Sequence, residues 1–232
     1  TAIYEGEDFI VNAVALSNPG IREWKRRYLP RIAENPDLKI ILSITEKNLP
    51  RLIRLVDEIV EIKEKIVGVE FNPSCPNVDE RWKPREIQKA CRKIKKILNV
   101  PLGIKIGYHQ NYLQIAKSTQ EYVEWLSFNS IPWDIVFPGK TSPLEGKIGS
   151  KGAVSGKAIC ELNKKMALEI KEAGIKTPVI ASSVGWGRTF EEGYKEVVEA
   201  LKWADAISFG SLFRKHPLWP IRMILRYRKQ KE

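Results

Sequence analysis

Short runs of apolar and β-branched residues alternate in strict turn with longer amphipathic stretches, and that alternation constrains the fold more than any other feature of the chain. The runs are Lys39 to Ser43, Val67 to Asn72, Leu102 to Ile106, Asp134 to Phe137, Val179 to Ser183 and Ala206 to Phe209. Between them, Leu49 onward, Ile87 to Leu98, Tyr112 to Trp125, Ala158 to Ala173 and Phe190 to Trp203 place apolar residues at helical spacing. Strand and helix in turn imply right-handed crossovers and a parallel sheet. Six such strands fit either a doubly wound sheet or most of a (β/α)8 barrel. Polar residues cluster just after the runs, at Asn72 to Asn77, Lys105, Ser182 to Gly185, Gly210 and Ser211. A barrel gathers its working residues at that C-terminal rim. A doubly wound nucleotide fold would show G-x-G-x-x-G after its first strand, and none is present. The predicted fold is therefore an α/β TIM barrel in one domain over residues 1–232. The connection from Pro138 to Gly156 is long for a βα loop and reads as functional.

Composition excludes several classes. At 232 residues the chain can bury one substantial core. No apolar run approaches the roughly 18 residues of a membrane span, and Thr1 to Glu5 has neither the basic nor the apolar segment of a signal peptide. The three cysteines, Cys75, Cys91 and Cys160, form no disulfide framework or zinc pattern, which predicts a reducing, cytoplasmic setting. Two histidines, His109 and His216, do not supply a His-based metal centre. The formal net charge of +11 leaves nucleic acid open as a partner, although the basic residues are spread over helical faces and read first as solvated surface.

The segment Phe71-Asn72-Pro73-Ser74-Cys75-Pro76-Asn77 follows a buried-strand pattern. Two amides, a hydroxyl and a thiol between prolines are poor core material, but they suit a flat polar heterocycle held beside a base. Each amide offers a donor and an acceptor on one plane, and the thiol can exchange a proton. Lys105, inside an apolar strand, is costly to bury unpaired.

On these residues the chain resembles the dihydroorotate dehydrogenases, FMN-dependent (β/α)8 barrels. Asn72-Pro73-Ser74-Cys75-Pro76-Asn77 is similar to the family's N-x-S-C-P-N loop, and Val11 to Gly20 to its substrate loop N-A-x-G-L-x-N-P-G. Gly103-Ile104-Lys105-Ile106 is similar to its flavin-contacting strand. Gly152 to Gly156, Val179 to Gly185 and Phe209 to Phe213 are similar to its phosphate-side elements. The resemblance implies oxidation of dihydroorotate to orotate in pyrimidine biosynthesis, with Cys75 as the base of a class 1 enzyme. It implies substrate contacts from Asn12, Leu16, Asn72 and Asn77. Lys105 would meet the ring of FMN, with Gly152, Ser183, Val184, Gly185, Gly210 and Ser211 around its phosphate side. A homodimer or an electron-transfer partner subunit belongs to the same expectation.

Several departures accompany the likeness. Ala181 to Gly185 stands where the family has paired glycines, Ala153 replaces a glycine, and Ala15 replaces a substrate-loop glycine. Val136-Phe137-Pro138 lacks the asparagine expected after the sixth strand, which bears on substrate specificity. Two barrel strands and a lysine that precede the Asn12 segment in the family have no counterpart here, so a further N-terminal portion is expected, its strands falling between those at Lys39 and Ala206. Two other readings remain at this stage. One is a tRNA-dihydrouridine synthase-like flavoenzyme, disfavoured by S-C-P-N in place of G-C-P. The other is a barrel without FMN that acts as a binding or scaffold protein.

Overall fold

The computed structural model describes residues 2–15, 17–35, 37–77 and 82–231. It begins with a hairpin, β1 (Ile3–Glu5) and β2 (Phe9–Asn12), followed by α1 (Ile21–Arg27) and α2 (Leu29–Ala33). Three strand–helix units come next: β3 (Ile41–Ile44) with α3 (Leu49–Val60), β4 (Gly68–Phe71) with α4 (Pro84–Leu98), and β5 (Leu102–Ile106) with α5 (Tyr112–Thr119). After β6 (Trp125–Phe128) an insertion carries β7 (Ile131–Pro132), α6 (Trp133–Val136), α7 (Glu145–Ile148) and β8 (Ala153–Gly156). The series resumes with α8 (Cys160–Glu172), β9 (Val179–Ala181), α9 (Phe190–Ala200), β10 (Ala206–Ile207), α10 (Ser211–Lys215) and α11 (Trp219–Lys229).

Six strands form a parallel sheet in the order β10-β9-β6-β5-β4-β3. This is the strand sequence of a (β/α) barrel, with β3 and β10 as its outer members among the described residues. Helices cover the outside. In α3, Leu52, Val56 and Ile59 recur at helical spacing and are fully buried. Ile87, Cys91, Ile94 and Leu98 do the same in α4. Each such large aliphatic contributes about 1.5–3 kcal/mol relative to exposure. The helix starts are fixed locally: the Asn48 side chain accepts from the Arg51 backbone N–H at 3.1 Å, and Thr189 and Glu192 form a reciprocal cap on α9.

One strand lies elsewhere than the sequence predicts. Asp134 to Phe137 is not a strand; it falls mostly in the short helix α6, and β6 is Trp125–Phe128. Helix α5 stops at Thr119, short of the predicted Trp125. The reason is physical. All of Trp-Leu-Ser-Phe is buried, so the strand shows no alternation, and a four-residue buried run has no period to separate it from a helix tail. Its entry is pinned by Glu124, whose carboxylate accepts from the Leu102 backbone N–H at 2.6 Å.

A second, antiparallel sheet was not anticipated. Its order is β1-β2-β8-β7. It lays Asn12 opposite Ala153 and Phe9 opposite Gly156, so the predicted substrate loop and one predicted phosphate-side element become neighbouring strands at the rim. The long segment from Pro138 to Gly156 is thus partly ordered as α7 and β8. Gly152, at φ +70°, allows this approach: a Cβ there would lie 2.8 Å from the Asn12 carbonyl oxygen.

Candidate functional site

Alternation along the parallel strands decides what faces the barrel interior. On β4, Val69 and Phe71 are fully buried toward the helices, which turns Glu70 inward. On β5, Leu102, Ile104 and Ile106 face out and Gly103 and Lys105 face in; on β6, Trp125 and Ser127 face in. A cavity of about 690 Å³ opens over these inward positions, lined among others by Ser43, Glu70, Lys105, Ser127, Asn129 and Ser182. That volume lies within the range of small-molecule sites. Trp125 forms part of its lining. Its indole lies across Gly103, where a Cβ would come within 1.9 Å of the ring, and reaches toward Gly68. A larger, mainly apolar cavity of about 940 Å³ runs along β3 beneath α1 and α2 and holds none of the predicted site residues.

At the ends of β4, β5 and β6 the polar side chains are bound to one another. Asn129 Nδ2 donates to Asn72 Oδ1 and to Ser74 Oγ, both at 3.0 Å. Ser74 Oγ donates to the Lys105 carbonyl at 2.8 Å, and the Ser74 backbone N–H reaches Asn72 Oδ1 at 3.3 Å. Gln110 extends the network, accepting from the Gly107 N–H at 3.1 Å and donating to the Pro73 carbonyl at 3.3 Å. Asn129 and Ser130 directly follow β6. The expected loss of the sixth-strand asparagine is therefore overturned: with the strand at Trp125–Phe128, an Asn-Ser pair stands at its end. Sequence reasoning missed Asn129 only because it misplaced the strand.

Cys75 lies half-buried in the loop beyond β4. Burial raises its thiol pKa, partly opposed by a hydrogen bond from the Asn77 backbone. The Asn77 side chain donates to the Asn12 carbonyl at 3.0 Å and to Asn12 Oδ1 at 3.3 Å, which ties this loop to the end of β2. Asn12 lines the cavity; Cys75, Asn72 and Asn77 do not, although Asn72 and Asn77 are bonded to its lining residues Asn129 and Asn12. Leu16 lies outside the described residues. The other thiols differ from Cys75: Cys91 is fully buried and its pKa strongly raised by that burial, and Cys160 is pushed up to about 11, by burial first and then by Glu196 and Glu161.

Lys105 does not stand alone. Its ammonium meets Glu70 Oε1 at 2.7 Å, and Ser127 Oγ donates to Glu70 Oε2 at 2.6 Å. Glu70 was not singled out from the sequence, although a carboxylate inside Ile66-Val67-Gly68-Val69-Glu70-Phe71 is the signal that marks it.

The β9 and β10 side is built differently. Ser183 has φ +63° and its hydroxyl accepts from the Gly156 N–H at 3.2 Å. Ser182 Oγ donates to the Phe128 carbonyl at 3.1 Å, and Asn163 Nδ2 reaches the Ser182 carbonyl at 3.3 Å. Ser183, Gly210 and Ser211 line the cavity, and nothing crowds a Cβ position at Gly210. Val184 and Gly185 do not. Val184 is buried, and Gly185, at φ +85°, faces Leu212 and Met223. Gly152 serves the β2–β8 contact. Arg214 joins the lining and pairs with Glu5 of β1. Hydroxyls, an ammonium, a guanidinium and an open glycine suit a polar heterocycle carrying a phosphate, which is the chemistry of FMN. Among the described residues there is no cluster of His, Cys, Asp and Glu that could hold a metal, and no helix is long and apolar enough to cross a membrane.

No protein-family model matches the chain. Among curated proteins it is 26% identical over 186 residues to the catalytic subunit of dihydroorotate dehydrogenase B (NAD(+)) of Staphylococcus carnosus, covering 77% of this chain and 59% of that protein. It is 27% identical over 234 residues to the same-named subunit of Brachyspira hyodysenteriae, covering 97% and 73%. It is 24% identical over 224 residues to a putative dihydroorotate dehydrogenase A (fumarate) of Aquifex aeolicus, covering 93% and 70%. The chain thus spans roughly three fifths to three quarters of the length of these relatives. Among solved structures, DHODH of Eimeria tenella in complex with ferulenol superposes with a TM-score of 0.65 at 12% identity over 96% of this chain and 69% of that one, a likeness of fold. Sequence relatives that cover most of the chain, together with the fold shared with a solved DHODH, make this chain similar to the dihydroorotate dehydrogenases over most of its length.

Proposed function

We propose that this chain carries the active site of an FMN-dependent dehydrogenase that oxidises dihydroorotate to orotate, with Cys75 as the base. The observation that carries this reading is the strand-end constellation. Asn72, Ser74 and Asn129 are locked together beside a cavity lined by Asn129 and Lys105, while the Asn77–Asn12 contact ties the Cys75 loop to a residue that lines it.

FMN, when bound, supplies the hydride acceptor. The protein supplies the rest. With Asn72 Oδ1 committed to Asn129 and Ser74, its Nδ2 is left to donate to a ring carbonyl or carboxylate. Asn129 is fixed by two acceptors on one side and by its Oδ1 accepting from the Ser130 N–H at 2.9 Å on the other, so its plane is set before substrate arrives. Cys75 takes the proton from the substrate carbon. Its raised pKa makes the thiolate a stronger base, and the Asn77 backbone hydrogen bond steadies that thiolate. Lys105 would face the ring edge where charge accumulates on reduction. Ser183, Gly210, Ser211 and Arg214 would face the phosphate side.

A flat polar small molecule suits such a cavity, and free thiols at Cys75, Cys91 and Cys160 suit a cytoplasmic enzyme. A homodimer or an electron-transfer subunit is the matching proposal for the route by which electrons leave. The test is an anaerobic absorbance titration. The protein reconstituted with FMN should bleach near 450 nm on addition of dihydroorotate. Bound FMN that stays oxidised would mean a different substrate, and no FMN binding would favour the scaffold reading.

A further inference from the structure

Lys105 and Glu70 are a charged pair inside a barrel whose interior is ordinarily filled by branched aliphatic side chains. Neither the sheet nor the helices need it. The strands β4 and β5 are already joined by their backbone ladder, with Glu70 opposite Gly103. Taking two charges out of water is costly, and an apolar pair of similar volume generally serves stability as well or better. Yet the Glu70 side chain is only 13% exposed, and both carboxylate oxygens are engaged: Oε1 by Lys105 at 2.7 Å and Oε2 by Ser127 at 2.6 Å. Lys105 and Ser127 sit directly opposite one another on β5 and β6. Three adjacent strands therefore contribute one inward polar group each, and all three groups line the cavity.

We propose that Glu70 is a positioning residue for Lys105: its carboxylate holds the ammonium at the cavity surface and offsets part of its charge, so that Glu70, through Lys105, sets how strongly the site favours reduced over oxidised flavin. This rests on the FMN reading given above. The physical basis is differential stabilisation. A cation near the ring favours the reduced, more negative form over the oxidised, neutral ring. A carboxylate 2.7 Å from that cation weakens the preference and fixes where the cation sits. Ser127, by donating to the carboxylate, fixes the far end of the same arrangement.

The readout is the midpoint potential of bound FMN, together with the dissociation constant of oxidised FMN from the apoprotein. Glu70→Gln keeps an acceptor of nearly the same shape and removes the charge. It should raise the ratio of affinities for reduced over oxidised FMN about tenfold, which for a two-electron couple is a positive shift of about 30 mV. Glu70→Asp, which keeps the charge, should stay within about threefold of wild type, since only the length of the arm changes. Lys105→Met should shift the potential the opposite way, and Glu70→Gln should have little further effect in the Lys105→Met background. A merely structural Glu70 would lower the melting temperature without this sign pattern. Ser127→Ala serves if Glu70→Gln does not fold: the carboxylate loses a donor that shares its charge, so the potential should move negative. An unchanged potential in Glu70→Gln, an equal shift with and without Lys105, or equal effects of Gln and Asp would each overturn the proposal while leaving the FMN reading intact. Wild-type protein that binds no FMN would overturn the FMN reading itself.

Discussion

The two halves of the barrel rim are organised by different means. At the ends of β4, β5 and β6, side chains are tied largely to one another, Asn129 to Asn72 and Ser74 and Asn77 to Asn12 Oδ1, with Ser74 also donating to the Lys105 carbonyl. At the ends of β9 and β10, the local backbone conformation carries the turn. Ser183 sits at positive φ, Gly185 likewise, and the serine hydroxyls mostly satisfy backbone groups of neighbouring strands. The first half is a preformed polar network, in which removing one member leaves a partner unsatisfied. The second is a shaped surface whose hydroxyls can be exchanged at small cost. Chemistry that needs groups held in fixed orientation belongs to the first half, and recognition of an anion by many weak donors suits the second.

The largest effect should come from Cys75, the proposed base. Cys75→Ala should leave folding and FMN retention unchanged and slow anaerobic flavin reduction by dihydroorotate about 10²–10⁴-fold. Because burial raises the Cys75 pKa, the wild-type rate should climb with pH over a range above that of an ordinary thiol, since the thiolate is the active form and the pH must exceed the raised pKa to populate it. A stopped-flow pH series would show this, and a rate that falls with pH would rule out the thiolate base. The same ordering can be read without turnover. Mild iodoacetamide followed by peptide mapping should label Cys75 first and Cys160 at least about tenfold more slowly, leaving Cys91 untouched until the protein unfolds, because alkylation follows thiolate fraction and access. Comparable labelling of all three would remove the distinction drawn for Cys75. Next in size is Asn129→Ala, which strips a donor from Asn72 and Ser74. It should raise the substrate KM by roughly 5–30-fold, the worth of about 1–2 kcal/mol, while FMN binding stays constant. A change confined to FMN binding would break the division between the two halves.

Much of this was legible in the sequence, and the exceptions have definite causes. The strand leading to Cys75 and the strand carrying Lys105 announced themselves, because β-branched runs ended in polar clusters that no core would use. The parallel sheet followed from alternation alone. Trp125–Phe128 was hidden because burial on both faces erases the period of two, and that single misplacement made Asn129 invisible and suggested a missing asparagine. The rim sheet β1-β2-β8-β7 was not legible as a unit because its central β2–β8 pairing crosses more than 140 residues and leaves no local signal. Glu70 was in plain view, but a sequence does not show that a carboxylate two residues before Asn72 will meet a lysine on the next strand. In the other direction, Lys105 looked inexplicable as structure only while its partner was unknown.

The smallest effect tests the second half of the rim. The family resemblance leads one to expect bare glycine where Ser183 stands, and the structure shows what the serine exchanges for it. A side chain in the left-handed region costs about 1–2 kcal/mol. Against that, the Ser183 hydroxyl satisfies the Gly156 N–H at 3.2 Å, and such a bond contributes about 0.5–1.5 kcal/mol. The two terms nearly cancel, so Ser183→Gly should leave the stability within about 1 kcal/mol of wild type, while Ser183→Ala, which keeps the strain and loses the bond, should cost about 1 kcal/mol. Denaturant unfolding of the three proteins would measure both differences. FMN affinity should be equal or slightly higher in Ser183→Gly, because the backbone there can approach a phosphate as closely as a glycine turn allows. If Ser183→Gly instead lost FMN, the hydroxyl itself would be a ligand, and the second half of the rim would depend on individual side chains as much as the first.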